Sequence, residues 1–224
     1  MRCSSNSGSG AAARGPAVSL RPRSLSPGAG EPSYIGRVLQ VAVTLPATID
    51  DVGEYLADVT ALEAAGAAAI WVDDTGLDPW VLLGAMAAVT HRVRLGCMVT
   101  AAGAWPSETL ATLQKLSRGR NVIALPSPGH AGRRVFTAGS KQESPVGAIF
   151  EVESADQLGD APDTQIEVWA AIAVPPDRAA WAEARSAFEA AGATGVILPW
   201  NDRVLDLLRN PEPDDRTDLL ISTG

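Results

Sequence analysis

The chain has 224 residues, of which 18 are basic, 26 are acidic and 46% are hydrophobic. No apolar run is long enough to span a membrane, and the net charge of −8 argues against nucleic acid as the main partner. Cys3 and Cys97 are too few for a disulfide framework or a cysteine-rich zinc site, and two distant histidines do not make a metal site. We therefore expect a cytoplasmic protein without a resident metal ion.

Residues 1–36 are rich in Ser, Gly, Ala, Pro and Arg and contain few large apolar side chains. Such a segment buries too little surface to offset the entropy lost on ordering. We therefore predict a disordered tail over 1–36, followed by a single folded domain over 37–224. The composition also loosely fits a transit peptide, and a translation start assigned too far upstream would leave the same signature.

In the folded part, short apolar stretches alternate with amphipathic ones. Five residues suited to the N-cap position predict where helices begin: Asp50 or Asp51, then Asp78, Ser107, Asp177 and Asn201. Strands separated by helices pair in parallel through right-handed crossovers, which predicts an α/β fold. Residues 133–137 carry no clear signal. The strands are predicted over 38–45, 68–72, 93–99, 121–125, 146–152, 166–174 and 196–198.

The chain also contains a weak internal repeat. Residues 62–67 and 188–193 both end a helix in Ala-Ala-Gly-Ala, and each leads within about three small residues into a buried strand. Repeated helix-to-strand units suit a (β/α) barrel, although a doubly wound sheet could use the same unit.

Three stretches of the first half follow a familiar pattern. Residues 62–74 run from a helix end into Ile-Trp-Val-Asp-Asp, residues 78–96 combine a capped helix with the next strand, and residues 105–120 end in Leu-Ser-Arg-Gly-Arg. Together these stretches, spanning about residues 38–125, resemble the luciferase-like flavin or deazaflavin (coenzyme F420) oxidoreductases. The second half resembles that family only generically.

The resemblance implies a (β/α)8 TIM barrel, complete or reduced, that uses FMN or F420 for hydride transfer or monooxygenation of a small organic substrate. It also implies a homodimer or a pairing with a homologous subunit. The cofactor ring would lie at the carboxyl-terminal mouth of the barrel, where such folds carry their active sites. The cofactor-binding positions implied there are Thr44, Asp73, Asp74, Thr100, Ala101, Ser127 and His130.

The sequence departs from the family pattern after the second and fourth strands. Asp73 and Asp74 stand where the family often has an acidic residue followed by histidine, and Pro126 and Pro128 stiffen a segment that is usually rich in glycine. The body of 188 residues is also short against about 250 for a typical barrel. A non-catalytic flavin-binding or partner subunit of the same fold is therefore the alternative function.

Each candidate side chain also has a structural interpretation. Asp73 and Asp74 are either a proton-relay pair or caps of the following loop, and His130 is either catalytic or a surface histidine. Arg133 and Arg134 either hold a phosphate or are solvated loop charges. No glycine-rich phosphate loop is present, so a phosphate would have to bind near 199–203, where Arg203 favours an anion and Asp202 opposes it.

Overall fold

The computed structural model describes residues 38–46, 48–100, 107–127, 132–138, 145–159 and 166–210. The tail predicted over 1–36 lies outside these residues. The eight strands are β1 Gln40–Thr44, β2 Ala69–Asp73, β3 Arg94–Met98, β4 Asn121–Pro126, β5 Arg133–Thr137, β6 Gly147–Glu151, β7 Glu167–Ala171 and β8 Gly195–Pro199. The five helices are α1 Val52–Ala64, α2 Pro79–Val89, α3 Ser107–Leu116, α4 Arg178–Ala190 and α5 Asp202–Arg209.

The strands close into a barrel in the order of the sequence, with β8 pairing back onto β1. This confirms the predicted barrel and excludes the doubly wound sheet, which would have open edges. β5 runs antiparallel to both β4 and β6, and all the remaining strand pairs of the barrel are parallel. The stretch without a clear signal is therefore a strand, and it reverses direction because only residues 127–132 connect it to β4.

The helices begin where the sequence predicts them. Asp51, Asp78, Asp177 and Asn201 each accept hydrogen bonds from backbone N–H groups of the first helical turn, as N-cap side chains do. Among the described residues between β4 and β7, a 3-10 turn at Ala155–Leu158 is the one helical element. The helices of the described part therefore follow the first three strands and the last two strands of the barrel.

Two indole rings fill the barrel interior. Trp71 and Trp169 are each 2% exposed and belong to an inner cluster that is separate from the layer between strands and helices. A Cβ atom added at Gly96 would lie 2.2 Å from the Trp71 ring, and one at Gly195 would lie 2.5 Å from the Trp169 ring. Both rings thus lie directly on glycine backbone, which is how so small a barrel accommodates them.

A polar network closes the amino-terminal end of the barrel. The Arg94 guanidinium donates to Glu167 Oε2 over 2.6 Å and to Gln40 Oε1 over 3.2 Å. The same Glu167 oxygen accepts the Trp169 indole N–H at 3.0 Å, and the Arg94 guanidinium lies 5.3 Å from the centre of the Trp169 ring. At this end of the barrel, the charges of Arg94 and Glu167 are therefore paired with each other.

The loop 90–93, which connects α2 to β3, is held from both sides by charged groups. The Glu63 carboxylate accepts the backbone N–H groups of residues 91, 92 and 93 over 2.6–3.1 Å. The Arg120 guanidinium donates to the carbonyl oxygens of Thr90 and Val93 at 2.9 and 2.6 Å. We call this arrangement the Glu63–Arg120 clamp.

Substitution of the interior glycine Gly96 with alanine should destabilise the protein by about 1–3 kcal/mol, because the new methyl group collides with the Trp71 ring. Gly84→Ala is the matched control. A Cβ at Gly84 meets Leu113 at an ordinary 3.7 Å, and alanine favours the helix by up to about 1 kcal/mol. Chemical denaturation of both variants measures the difference, and equal stabilities would contradict the interior packing described here.

The Glu63–Arg120 clamp should make stability depend on pH. Burial of the Glu63 carboxylate opposes its ionisation, but the three backbone N–H donors and the Arg120 charge outweigh this and lower its pKa below the usual 4.5. A carboxylate with a lowered folded-state pKa stabilises the fold above its unfolded-state pKa, and that stabilisation is lost as the pH falls through the folded-state pKa.

We therefore expect Glu63→Gln to cost about 1–2 kcal/mol at pH 7 and progressively less below about pH 4.5. Urea unfolding of wild type and variant across this pH range gives the comparison. A stability difference that stays constant with pH would show that the Glu63 charge does not hold the loop.

Candidate functional site

The carboxyl-terminal mouth of the barrel is formed by the last inward-facing residue of each parallel strand. Side chains alternate between the two faces of a strand, so the residues two positions beyond inner-cluster members also face inward. Thr44 follows Ala42 in this way, Asp73 follows Trp71, and Glu151 follows Ile149. Because β5 is reversed, its first residue, Arg133, reaches the mouth instead of its last.

A cavity of about 310 Å³ opens at this mouth. Its walls come from the ends of β3, β4, β6 and β7 and from the start of β5. They combine apolar side chains with one cation and one carboxylate. The lining residues are Met98, Pro126, Gly132, Arg133, Ile149, Glu151 and Ala171.

The two aspartates after β2 are held by loop backbone. Asp73 Oδ1 accepts the backbone N–H and the hydroxyl of Thr75 at 3.0 and 2.5 Å, and both Asp74 oxygens accept the Thr100 N–H at 3.0 Å. Of the two interpretations of this pair, the geometry favours the loop caps. Asp74 additionally ties the loop after β2 to the loop after β3.

The other predicted positions are distributed around the same mouth. Thr44 is half-buried, and its carbonyl oxygen accepts the Trp200 N–H at 2.9 Å. The Ser127 N–H donates to Gly132 O at 3.0 Å and so closes the turn into β5. Ala101 and His130 lie outside the described residues. The structure thus brings Thr44, Asp73 and Ser127 to one end of the barrel, although none of them lines the cavity.

Sequence reasoning overlooked most of the cavity lining. Met98, Ile149 and Ala171 stood inside predicted strands without a polar signal, and Arg133 was expected to be a phosphate ligand or a solvated loop charge. Arg133 is half-buried, and its Nη1 donates to Val99 O over 2.6 Å. Its neighbour Arg134 is exposed on the opposite face of β5.

Gly132 brings the chain close to β6 immediately before Arg133. Its φ is 154°, and a Cβ there would lie 2.7 Å from Ile149 O and 3.2 Å from the Phe150 ring. A larger residue would push β5 away from β6 at the point where the cavity opens. The sequence signal for this contact is a single glycine in an unassigned stretch.

Two buried ionisable groups near the mouth are kept uncharged. Burial, followed by the charges of Asp74 and Asp73, raises the pKa of Cys97 to about 12. Burial and the Asp73 charge also raise the pKa of Tyr55, whose hydroxyl lies 3.4 Å from Pro46 O. A thiol that stays protonated at neutral pH is a poor nucleophile, so neither group is suited to covalent chemistry.

The arginines beside α4 and α5, where the sequence suggested a phosphate site, already have protein partners. Arg203 Nη1 donates to Pro176 O at 2.7 Å. Arg178 forms a bidentate salt bridge with Asp206, with hydrogen bonds of 2.7 and 3.0 Å. These hydrogen bonds lower the pKa of Asp206. Both arginines line a surface cavity of about 470 Å³ that Asp177 and Asp206 also line. Its two carboxylates make it a poor site for an anion.

Residues 35–139 match the luciferase-like monooxygenase family. This stretch contains β1–β5, α1–α3 and the Glu63–Arg120 clamp. The resemblance expected from the sequence is confirmed over this stretch. No curated protein sequence matches the chain.

Two solved structures are similar to part of the chain at low sequence identity. The coenzyme F420-dependent tetrahydromethanopterin reductase of Methanopyrus kandleri is 13% identical with a TM-score of 0.39, over 73% of this chain and 65% of the reductase chain. Tryptophan synthase of M. tuberculosis, in its aminoacrylate- and BRD0059-bound form, is 17% identical with a TM-score of 0.40, over 73% of this chain and 83% of that chain. The chain thus spans just under two thirds of the reductase.

In the part of the chain that the structure describes, no helix has the length and apolarity to cross a bilayer. In the same residues, no group of three or more His, Cys, Asp or Glu side chains is arranged to hold a metal ion.

Removal of the Asp74 side chain should loosen the mouth without affecting the rest of the barrel. We expect Asp74→Ala to cost about 1 kcal/mol, because the Thr100 N–H loses its acceptor. Asp156→Ala, in the exposed 3-10 turn, is the control and should change stability by less than about 0.5 kcal/mol. Thermal melting compares the two, and an equally small effect of both would exclude a role of Asp74 in joining the loops.

Proposed function

We propose that the chain is a luciferase-like oxidoreductase that binds FMN or coenzyme F420 at the carboxyl-terminal mouth of its barrel. The observation that carries the proposal is a cavity at that mouth in a chain whose first half matches the luciferase-like monooxygenase family. Barrels of this architecture place their active sites at the same end. At the opposite end, Arg94 and Glu167 pair with each other.

The mouth residues fit the ring of such a cofactor. Met98, Ile149 and Ala171 provide an apolar surface for a planar ring face, and Thr44 provides a half-buried hydroxyl for a polar ring edge. The ring would extend toward the positions that the family resemblance implies: Thr44, Asp73, Asp74, Thr100, Ala101, Ser127 and His130. For the cofactor phosphate the fit is weaker, because Arg178 and Arg203 are engaged by the protein.

When bound, the cofactor would supply the hydride transfer or the oxygen chemistry, and the protein would bind and orient the reactants. Asp74 accepts the Thr100 N–H and so joins the loops after β2 and β3 at the rim of the mouth. Gly132 allows β5 to lie against β6 and thereby forms the opposite rim. The filled interior below keeps water from reaching the reactants through the barrel.

A non-catalytic flavin-binding or partner subunit of the same fold is the second candidate. The observation that favours it is the engagement of both Asp73 and Asp74 by loop backbone, which leaves no free acid–base pair after β2. Such a subunit would still bind the cofactor or a homologous chain.

Titration of FMN and F420, each followed by ligand fluorescence, tests the proposal. We expect binding by the wild type and its loss in Ala171→Trp, because the indole would fill a cavity of about 310 Å³. Ala111→Trp, on the exposed side of α3, is the matched control and should bind like the wild type.

Three outcomes are informative. No binding by the wild type at high micromolar concentration would refute the cofactor assignment. Unchanged binding by Ala171→Trp would place the cofactor outside the mouth cavity. Binding of FMN without any change in the rate at which its reduced form is reoxidised in air would support the non-catalytic alternative.

A further inference from the structure

We propose that the mouth cavity recognises its organic substrate through a single negative charge, and that Arg133 is the residue that binds it. The substrate class is a small monocarboxylate with an apolar body. The inference rests on the proposed function in placing the substrate at the mouth, but it does not depend on which cofactor binds there.

Arg133 is a half-buried cation, and no carboxylate among the described residues lies within ion-pair distance of it. Within the described part of the chain, its one hydrogen bond is the contact between Nη1 and Val99 O, which uses one of five N–H donors. The two ion pairs in that part join Arg94 to Glu167 and Arg178 to Asp206. The Val99 contact orients the guanidinium, and its remaining donors suit the two oxygens of a carboxylate.

Other arginines around the barrel differ from Arg133 in this respect. Arg94 and Arg178 are paired with carboxylates, while Arg120 and Arg203 donate to carbonyl oxygens and line no mouth cavity. Arg134 is exposed, so water solvates its charge. Arg133 therefore combines partial burial with a place in a cavity wall.

The other walls of the cavity determine the body of the ligand. Met98, Ile149 and Ala171 are apolar, and the part of this surface that the cofactor ring leaves uncovered would contact a hydrocarbon chain or ring of the substrate. The cavity volume of about 310 Å³ is at the lower end of the range for small-molecule sites, roughly 300–1,000 Å³. The substrate is therefore small and largely apolar apart from its charged group.

Glu151 restricts the charge of the ligand. It lines the same cavity and is exposed, and it lies too far from Arg133 to form an ion pair. A carboxylate at the rim repels a second negative charge on the ligand. The pair therefore favours a monoanion over a phosphate monoester, which carries nearly two charges at neutral pH.

Calorimetric titration with hexanoate, hexan-1-ol and hexylamine tests the recognition of charge on one hydrocarbon body. We expect the wild type to bind hexanoate at least about tenfold more tightly than hexan-1-ol, in line with a charge-assisted hydrogen bond, and hexylamine most weakly. Arg133→Gln should reduce the hexanoate preference to near unity. Arg134→Gln, one residue further along β5, is the matched control and should retain the full preference. Glu151→Gln should increase affinity for hexyl phosphate more than for hexanoate.

The same experiment separates substrate from cofactor as the source of the anion. If Arg133 holds the cofactor phosphate instead, Arg133→Gln will weaken FMN but not riboflavin, and that result overturns the proposal. A wild type that binds hexanoate, hexan-1-ol and hexylamine equally also overturns it, whether or not Arg133→Gln folds. A wild type that prefers hexanoate but binds neither FMN nor F420 refutes the proposed function and leaves this inference in place.

Discussion

The contact of two indole rings with two glycines determines where this barrel can bind a ligand. Trp71 lies on Gly96 and Trp169 on Gly195, and together they occupy the interior that eight short strands enclose. Interiors packed to this density leave no room for a ligand below the outermost layer. The candidate site is therefore confined to the carboxyl-terminal mouth, where Met98 and Ala171 pack on the inner cluster. The two indole rings limit the depth of the mouth cavity, and the residues that line the cavity determine which ligands it can bind.

Part of the family resemblance lies at the amino-terminal end of the barrel. Glu63 stands in the first of the matching stretches, the loop 90–93 in the second and Arg120 at the end of the third. The Glu63–Arg120 clamp explains why these distant residues occur together, since each binds the same loop through opposite backbone groups. The resemblance thus records how the first half folds, and of the seven residues that line the cavity, four lie within the matching stretch and three lie beyond residue 139.

Local signals predicted the elements well. An aspartate or asparagine followed by an amphipathic stretch identified α1, α2, α4 and α5, because capping depends on residues within one turn. The direction of β5 could not be predicted, because it depends on a hairpin and on the close approach of Gly132 to β6. The predicted mouth residues Thr44 and Asp73 were correctly placed at the strand ends. The cavity escaped prediction because barrel closure brings Met98, Ile149 and Ala171 together from strands far apart in sequence.

The reversed strand has a consequence for how a barrel of this kind can be shortened. A chain that turns back once runs in the opposite direction, so β6, β7 and β8 have the direction of β1–β4 only because a second turn follows β5. The described residues between β4 and β6 contain no helix, so these two turns replace two crossover connections. Tight turns must replace crossover connections in even numbers if all later strands are to keep the direction of the first four. A single one would invert every later strand, and α4 and α5 would then begin at the amino-terminal rim instead of beside the mouth.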